Sequence, residues 1–112
     1  MDPRKFNRDF SLAGKNAIVT GGAKGIGKAI SLLYAEKGAN LAMFDIAPEL
    51  DATVAAAREK GVRAIGLKVD LRSKAEMAKA VAKVVAEYGK IDILVNNAGV
   101  VFLDDAENLS EE

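Results

Sequence analysis

A run of glycines directly after an apolar stretch constrains this chain more than any other feature. Ala17-Ile-Val-Thr20 reads as a buried strand, and Gly21-Gly-Ala-Lys-Gly-Ile-Gly27 follows it without a break. An amphipathic helix opens inside that run. The first N–H groups of a helix have no intrahelical acceptor, and the helix dipole favours an anion beside them. Glycines at 21, 25 and 27 let the main chain turn tightly, approach a pyrophosphate and lie close to the strand. The spacing is Gly-x-x-x-Gly-x-Gly, not the commoner Gly-x-Gly-x-x-Gly. An ordinary strand-to-helix connection is the alternative. Three glycines plus Gly22 in this context favour a phosphate cradle.

The rest of the chain repeats the same alternation. Strands are expected at Asn16–Thr20, Asn40–Asp45, Ala64–Val69 and Ile91–Asn96. Helices are expected at Gly25–Lys37, Glu49–Lys60 and Lys74–Tyr88. Spacing places Ile26, Ala29, Ile30 and Leu33 on the buried face of the first helix. The second buries Leu50, Val54 and Ala57, and the third Met77, Val81, Val84 and Val85. Ser73 and Glu76 have capping-box spacing, and Gly38, Gly61 and Gly89 follow the helix ends. Strands joined through helices pair in parallel with right-handed crossovers. The expected fold is therefore a doubly wound α/β sheet of Rossmann type, in the order 3-2-1-4. The order reverses between strands one and four, which opens a crevice at their carboxyl ends. The glycine turn, Asp45, Asp70 and Asn97 all lie at those ends.

Composition excludes several chemistries. The chain has 112 residues, no histidine, no cysteine and a formal net charge of zero. A disulfide framework, a thiolate or imidazole metal site, and any Ser–His–Asp or Cys–His mechanism are ruled out. No metal site is expected. A neutral chain offers no electrostatic footprint for nucleic acid or membrane. Residues 1–11 are polar and mixed in charge, unlike a signal peptide, so a cytoplasmic location is expected.

Three further positions invite a functional reading. Asp45 ends strand two, where an acid can bind both hydroxyls of an adenosine ribose; a solvated loop acid is the alternative. Asp70 can hold an adenine amino group or begin the turn toward Ser73. Asn96-Asn-Ala-Gly99 can bind neighbouring strand ends and leave room for a flat ring, or form a polar turn. The pairs Tyr34/Lys37 and Tyr88/Lys90 read as structural or surface residues.

These residues together resemble the short-chain dehydrogenase/reductase family. Thr20-Gly-Gly-Ala-Lys-Gly-Ile-Gly27 is similar to its Thr-Gly-x-x-x-Gly-x-Gly cofactor motif, and Asn96-Asn-Ala-Gly99 to its Asn-Asn-Ala-Gly element. The likeness runs from Leu12 onward. It implies cofactor contacts at Gly21, Lys24, Gly25, Ile26, Gly27, Asp45, Asp70, Leu71, Asn97, Ala98 and Gly99. An acid at Asp45 implies NAD over NADP, because it repels a ribose 2′-phosphate; Lys24 is a mild counter-signal. The family's Tyr-x-x-x-Lys pair, preceding serine and fourth-helix asparagine have no match here, so no catalytic residue is assigned.

The expected organisation is one partial domain. Residues 1–11 form an extension, 12–100 a dinucleotide-binding half, and 101–112 the start of the segment after strand four. The chain is expected to be a fragment. The complete enzyme would pass hydride between NAD and a small carbonyl or secondary alcohol, and this chain alone is expected to be inactive. Self-association through strand four, or pairing with the missing half, is also expected. A catalytically silent nucleotide-binding or interaction module is the alternative. A P-loop hydrolase fits poorly: Gly22-Ala-Lys-Gly-Ile-Gly-Lys28 has the spacing, but Ala29 stands where a magnesium-binding hydroxyl is needed.

Overall fold

The computed structural model describes residues 11–97. Ala98, Gly99, the 101–112 segment and most of the expected N-terminal extension lie outside the described residues. The elements are β1 (Asn16–Thr20), α1 (Gly25–Glu36), β2 (Asn40–Asp45), α2 (Leu50–Arg58), β3 (Ala64–Lys68), α3 (Lys74–Tyr88) and β4 (Ile93–Asn96). The four strands form one parallel sheet in the order β3-β2-β1-β4. This is the expected doubly wound arrangement.

Every residue of β1 is buried, because the strand is central and covered on both faces. Alternate side chains therefore feed two cores. Ala17, Val19, Leu41 and Met43 meet Ala35 of α1 and Leu50, Val54 and Ala57 of α2. Ile18, Ala42 and Phe44 meet Met77, Ala80 and Val84 of α3 on the other face. Helix α3 starts as a cap should, with Ser73 Oγ accepting from the Glu76 N–H at 3.2 Å. The reciprocal half of the box is absent: Glu76 instead accepts from the Asp70 N–H at 3.0 Å.

Helix α1 does not bury the expected face. Gly27, Ser31 and Ala35 point inward, whereas Ile26 is 72 % and Leu33 50 % exposed. The apolar stripe through Ile26, Ala29, Ile30 and Leu33 lies on roughly the opposite side of the helix at about 100° per residue. Small residues win the inward positions because α1 sits too close to the strands and turn for larger ones. Helix α3 shows a milder rotation. Ala80 is buried where Val85 was expected, and Val85 is 42 % exposed. Strand β4 starts two residues later than expected, because Ile91 and Asp92 approach β1 before regular pairing begins. Strand β3 ends at Lys68, one residue early, with Val69 still buried.

The amino ends of the strands are joined by side chains. Asn16, 6 % exposed, donates from Nδ2 to the carbonyls of Tyr88 and Lys90 at 3.3 and 3.0 Å. Its Oδ1 accepts from Asn40 Nδ2 at 3.0 Å, and Asn40 Oδ1 accepts from the Arg63 N–H at 3.1 Å. Asp92 Oδ2 accepts from the Asn16 N–H at 2.9 Å. These bonds tie β1, β2 and the entry to β4 into register.

Two predictions follow from the packing. Ala35→Leu should destabilise the chain by about 1–3 kcal/mol through overpacking, whereas Leu33→Ser should cost about 0.5 kcal/mol or less. Urea unfolding of both variants checks the orientation of α1. The Asn16 N–H, with help from Lys90, holds the Asp92 carboxyl below its ordinary pKa. A lowered folded pKa stabilises above the unfolded value, and that stabilisation is lost as pH falls through the folded value. Asp92→Asn should therefore lower Tm at neutral pH, and the difference should close in strong acid. Paired thermal melts across acidic pH test this.

Candidate functional site

The site forms where β1, β2 and β4 end. Gly21 leaves β1 with φ +66° and donates its N–H to the Phe44 carbonyl at 2.8 Å. Gly25 begins α1 at φ +59°, a conformation that glycine adopts without penalty. A Cβ built on Gly25 would meet nothing within 4 Å, so this part of the turn faces open space. Gly27 is the opposite case. A Cβ there would fall 1.8 Å from the Gly21 carbonyl oxygen and 2.8 Å from Asn97 Nδ2. One glycine thus leaves room outside the turn, and the other lets α1 press against it.

Electrostatics at the helix start suit an anion. Lys24 occupies the N-cap position without a side-chain cap, and no acid stands in the first turn of α1. Lys24 and Ile26 are both exposed beside Gly25. The N–H groups there are free of a capping carboxylate, and the adjacent cation adds to the dipole.

Asp45 is fixed next to this turn. Its Oδ2 accepts from the Ala23 N–H at 3.1 Å. Its Oδ1 accepts from the Ile46 and Ala47 N–H groups at 2.8 and 3.1 Å. The carboxylate is thus oriented by main chain on both sides. Asn97 closes the other flank. Its N–H donates to Thr20 Oγ1 at 3.0 Å, and its Nδ2 donates to the Gly21 carbonyl at 3.3 Å. Thr20, fully buried, also donates to the Val95 carbonyl at 3.3 Å.

The structure therefore brings Gly21, Gly25, Gly27, Asp45 and Asn97 to a rim at one end of the sheet, where Asn97 is hydrogen-bonded to Gly21 and Asp45 to Ala23 of the turn. Asp70 lies just past the end of β3, where the neighbouring Val69 N–H donates to the Asp45 carbonyl at 3.4 Å. The Asp70 carboxylate is engaged by Arg72, through the N–H at 3.0 Å and Nε at 3.1 Å. The Arg72 side chain, then its N–H, hold the Asp70 carboxyl below its ordinary pKa. The Asp70 carbonyl also accepts from the Ser73 N–H, so a turn toward α3 does begin here. Leu71 is partly buried against the α3-side core.

Sequence reasoning missed Thr53. It is buried on α2 and donates from Oγ1 to the Ala23 carbonyl at 2.6 Å. Its spacing with Leu50, Val54 and Ala57 places it on the inward face, and that was the available signal. Tyr88 lies far from the rim, where its hydroxyl donates to the Leu41 carbonyl at 2.7 Å. Arg63 stacks 4.5 Å above its ring. Among the described residues no group of His, Cys, Asp or Glu could hold a metal ion.

Residues 15–112 match the short chain dehydrogenase family. The chain belongs to that family. It is 45 % identical over 107 residues to the NAD-dependent glycerol dehydrogenase of Listeria innocua, covering 96 % of this chain and 41 % of that protein. An L-rhamnose 1-dehydrogenase (NADP(+)) of Thermoplasma acidophilum is 38 % identical over 87 % of this chain and 39 % of its own length. The structure superposes on NAD+-bound xylitol dehydrogenase with a TM-score of 0.77 and 39 % identity, over 81 % of this chain and 35 % of that one. The chain thus spans about two-fifths of the length of the curated relatives it matches. Relatives in this family are oxidoreductases, and the fold here is theirs.

Gly27→Val should unfold or strongly destabilise the chain, by about 3 kcal/mol or more, because the clash is with backbone. Gly25→Ala should cost only about 1 kcal/mol for its positive φ. Circular dichroism melts of the two variants separate the packing glycine from the open one.

Proposed function

We propose that this chain carries the NAD-binding site of a short-chain oxidoreductase. In the complete protein, hydride passes between NAD(H) and a carbonyl or secondary alcohol. The observation that carries the reading is Asp45, pinned at the end of β2 and joined through the Ala23 N–H to the glycine turn. The start of α1 would hold the pyrophosphate, and Gly25, where a Cβ would meet nothing within 4 Å, would leave room for it. Asp45 accepts from the adenosine ribose and repels a 2′-phosphate. Asn97 keeps the turn against β4. The nicotinamide, when bound, supplies or takes up the hydride.

This chain supplies binding and not proton transfer. It has no histidine and no cysteine. Tyr88 donates to a strand carbonyl at the other end of the sheet, and Tyr34 is partly buried against the α1–α2 core. General acid–base catalysis is worth roughly 10²–10⁴-fold, so the chain alone should show no turnover. Its similarity to glycerol, xylitol and L-rhamnose dehydrogenases makes those polyols and that sugar the first substrates to test on the whole protein. The edge of β4, unpaired by any further strand among the described residues and with Leu94 44 % exposed, makes self-association the expected behaviour of the chain by itself. Sedimentation as a stable monomer would remove that expectation.

Calorimetric titration of NAD and NADP tests the cofactor assignment. NAD should bind about tenfold or more tightly than NADP, since a like-charge contact costs several-fold in affinity at least. Asp45→Ala should narrow the gap, and Gly25→Val should abolish binding of both in a chain that still folds. Equal or tighter NADP binding by the unmodified chain would overturn the assignment.

A further inference from the structure

We propose that Thr53 is a positioning residue for ribose recognition by Asp45; this rests on the NAD reading above. Thr53 belongs to α2 and touches neither the cradle's open side nor the helix start. It is 2 % exposed, and its hydroxyl donates to the Ala23 carbonyl at 2.6 Å. Ala23 is itself fully buried. Its N–H donates to Asp45 Oδ2 at 3.1 Å. Both main-chain polar groups of this one residue are therefore held, one by α2 and one by the acid that ends β2.

The consequence falls on the geometry of the carboxylate. An ionised aspartate offers roughly four acceptor positions. Ile46 and Ala47 occupy Oδ1, and Ala23 takes one position on Oδ2. The position left open is on Oδ2, and its direction is set by where Ala23 stands. Ala23 in turn stands where Thr53 holds it. Without the hydroxyl, the buried Ala23 carbonyl loses its donor, and the turn must shift to find another. The Ala23 N–H then leaves Asp45, and the carboxylate gains freedom to rotate. A rotating carboxylate accepts less well from a ribose hydroxyl. It also evades a 2′-phosphate more easily. Thr53 thus contributes to affinity for NAD and to discrimination against NADP, without touching either.

The test compares Thr53→Val, which keeps the shape and removes the hydroxyl, with Thr53→Ser, which restores it. Ala23 amide exchange is followed by NMR in the cofactor-free chain. NAD and NADP dissociation constants are measured by calorimetry. In Thr53→Val the Ala23 amide should exchange faster, NAD should bind about five- to tenfold more weakly, and the NAD/NADP ratio should shrink. Thr53→Ser should return all three toward the unmodified values. Thr53→Ala takes the place of the valine variant if that variant fails to fold. A hydroxyl-free variant that melts lower but keeps the unmodified NAD/NADP ratio would overturn the proposal, as would a serine variant no better than valine. An unmodified chain that binds neither dinucleotide would refute the NAD reading instead. Ala23 exchange would then decide the clamp alone: faster exchange in valine but not serine supports it, and unchanged exchange overturns it.

Discussion

The contact of Gly27 with the Gly21 carbonyl is the constraint on which the rest of this structure depends. No side chain fits between them, since even a Cβ would fall 1.8 Å from that oxygen. This approach fixes the height of α1 above the sheet. At that height only small residues fit along the inward face, which is why Ser31 and Ala35 follow Gly27 there. The same approach brings the start of α1 to the carboxyl end of β1, with its N–H groups facing outward. The site and the packing of α1 are two consequences of one close contact.

Polar side chains then lock the two ends of the sheet separately. Parallel strands carry no hairpins, so nothing local in the sequence sets their register. At the amino ends the Asn16, Asn40 and Asp92 side chains do so. At the carboxyl ends Thr20 and Asn97 bind β4 to β1, and Asp45 binds β2 to the turn. Among the described residues no buried side-chain nitrogen or oxygen lacks a partner. Full satisfaction matters because an unpaired buried polar group costs about 1–3 kcal/mol, a sizeable share of a small domain's stability.

Much of this was legible in the sequence, and the failures share a cause. Glycine spacing, apolar strands and helix-ending glycines are local signals, so the element order, the strand order and the rim at Gly21, Asp45 and Asn97 could be read directly. The face of α1 could not. Periodicity assigns the largest apolar residues to the core, but the distance between α1 and the strands selects for smallness instead, and that distance is a tertiary property. Val85 was misplaced as well: Ala80 joins the core cluster with Ile18 and Phe44, and Val85 is 42 % exposed. Asn16 and Thr53 were passed over because a polar residue in an apolar element reads as solvent-facing until its acceptor, far away in sequence, is known. The cofactor contacts expected at Ala98 and Gly99 lie outside the described residues.

The misread stripe on α1 has its own physical meaning. Ile26, Leu33, Val85 and Leu94 leave a large fraction of their apolar surface in water. Burying one such side chain is worth about 1.5–3 kcal/mol. Several together rival the roughly 5–15 kcal/mol that holds an ordinary domain folded. Apolar surface of that kind, spread here over α1, α3 and β4, is unfavourable where it stays wet and favourable where it is covered. The family relatives extend well beyond the region matched here. The apolar stripe is not buried surface among the described residues, and periodicity alone put it in the wrong place. The sheet takes the small-residue face of α1, and the isoleucine and leucine side chains on its other side leave apolar surface in water among the described residues.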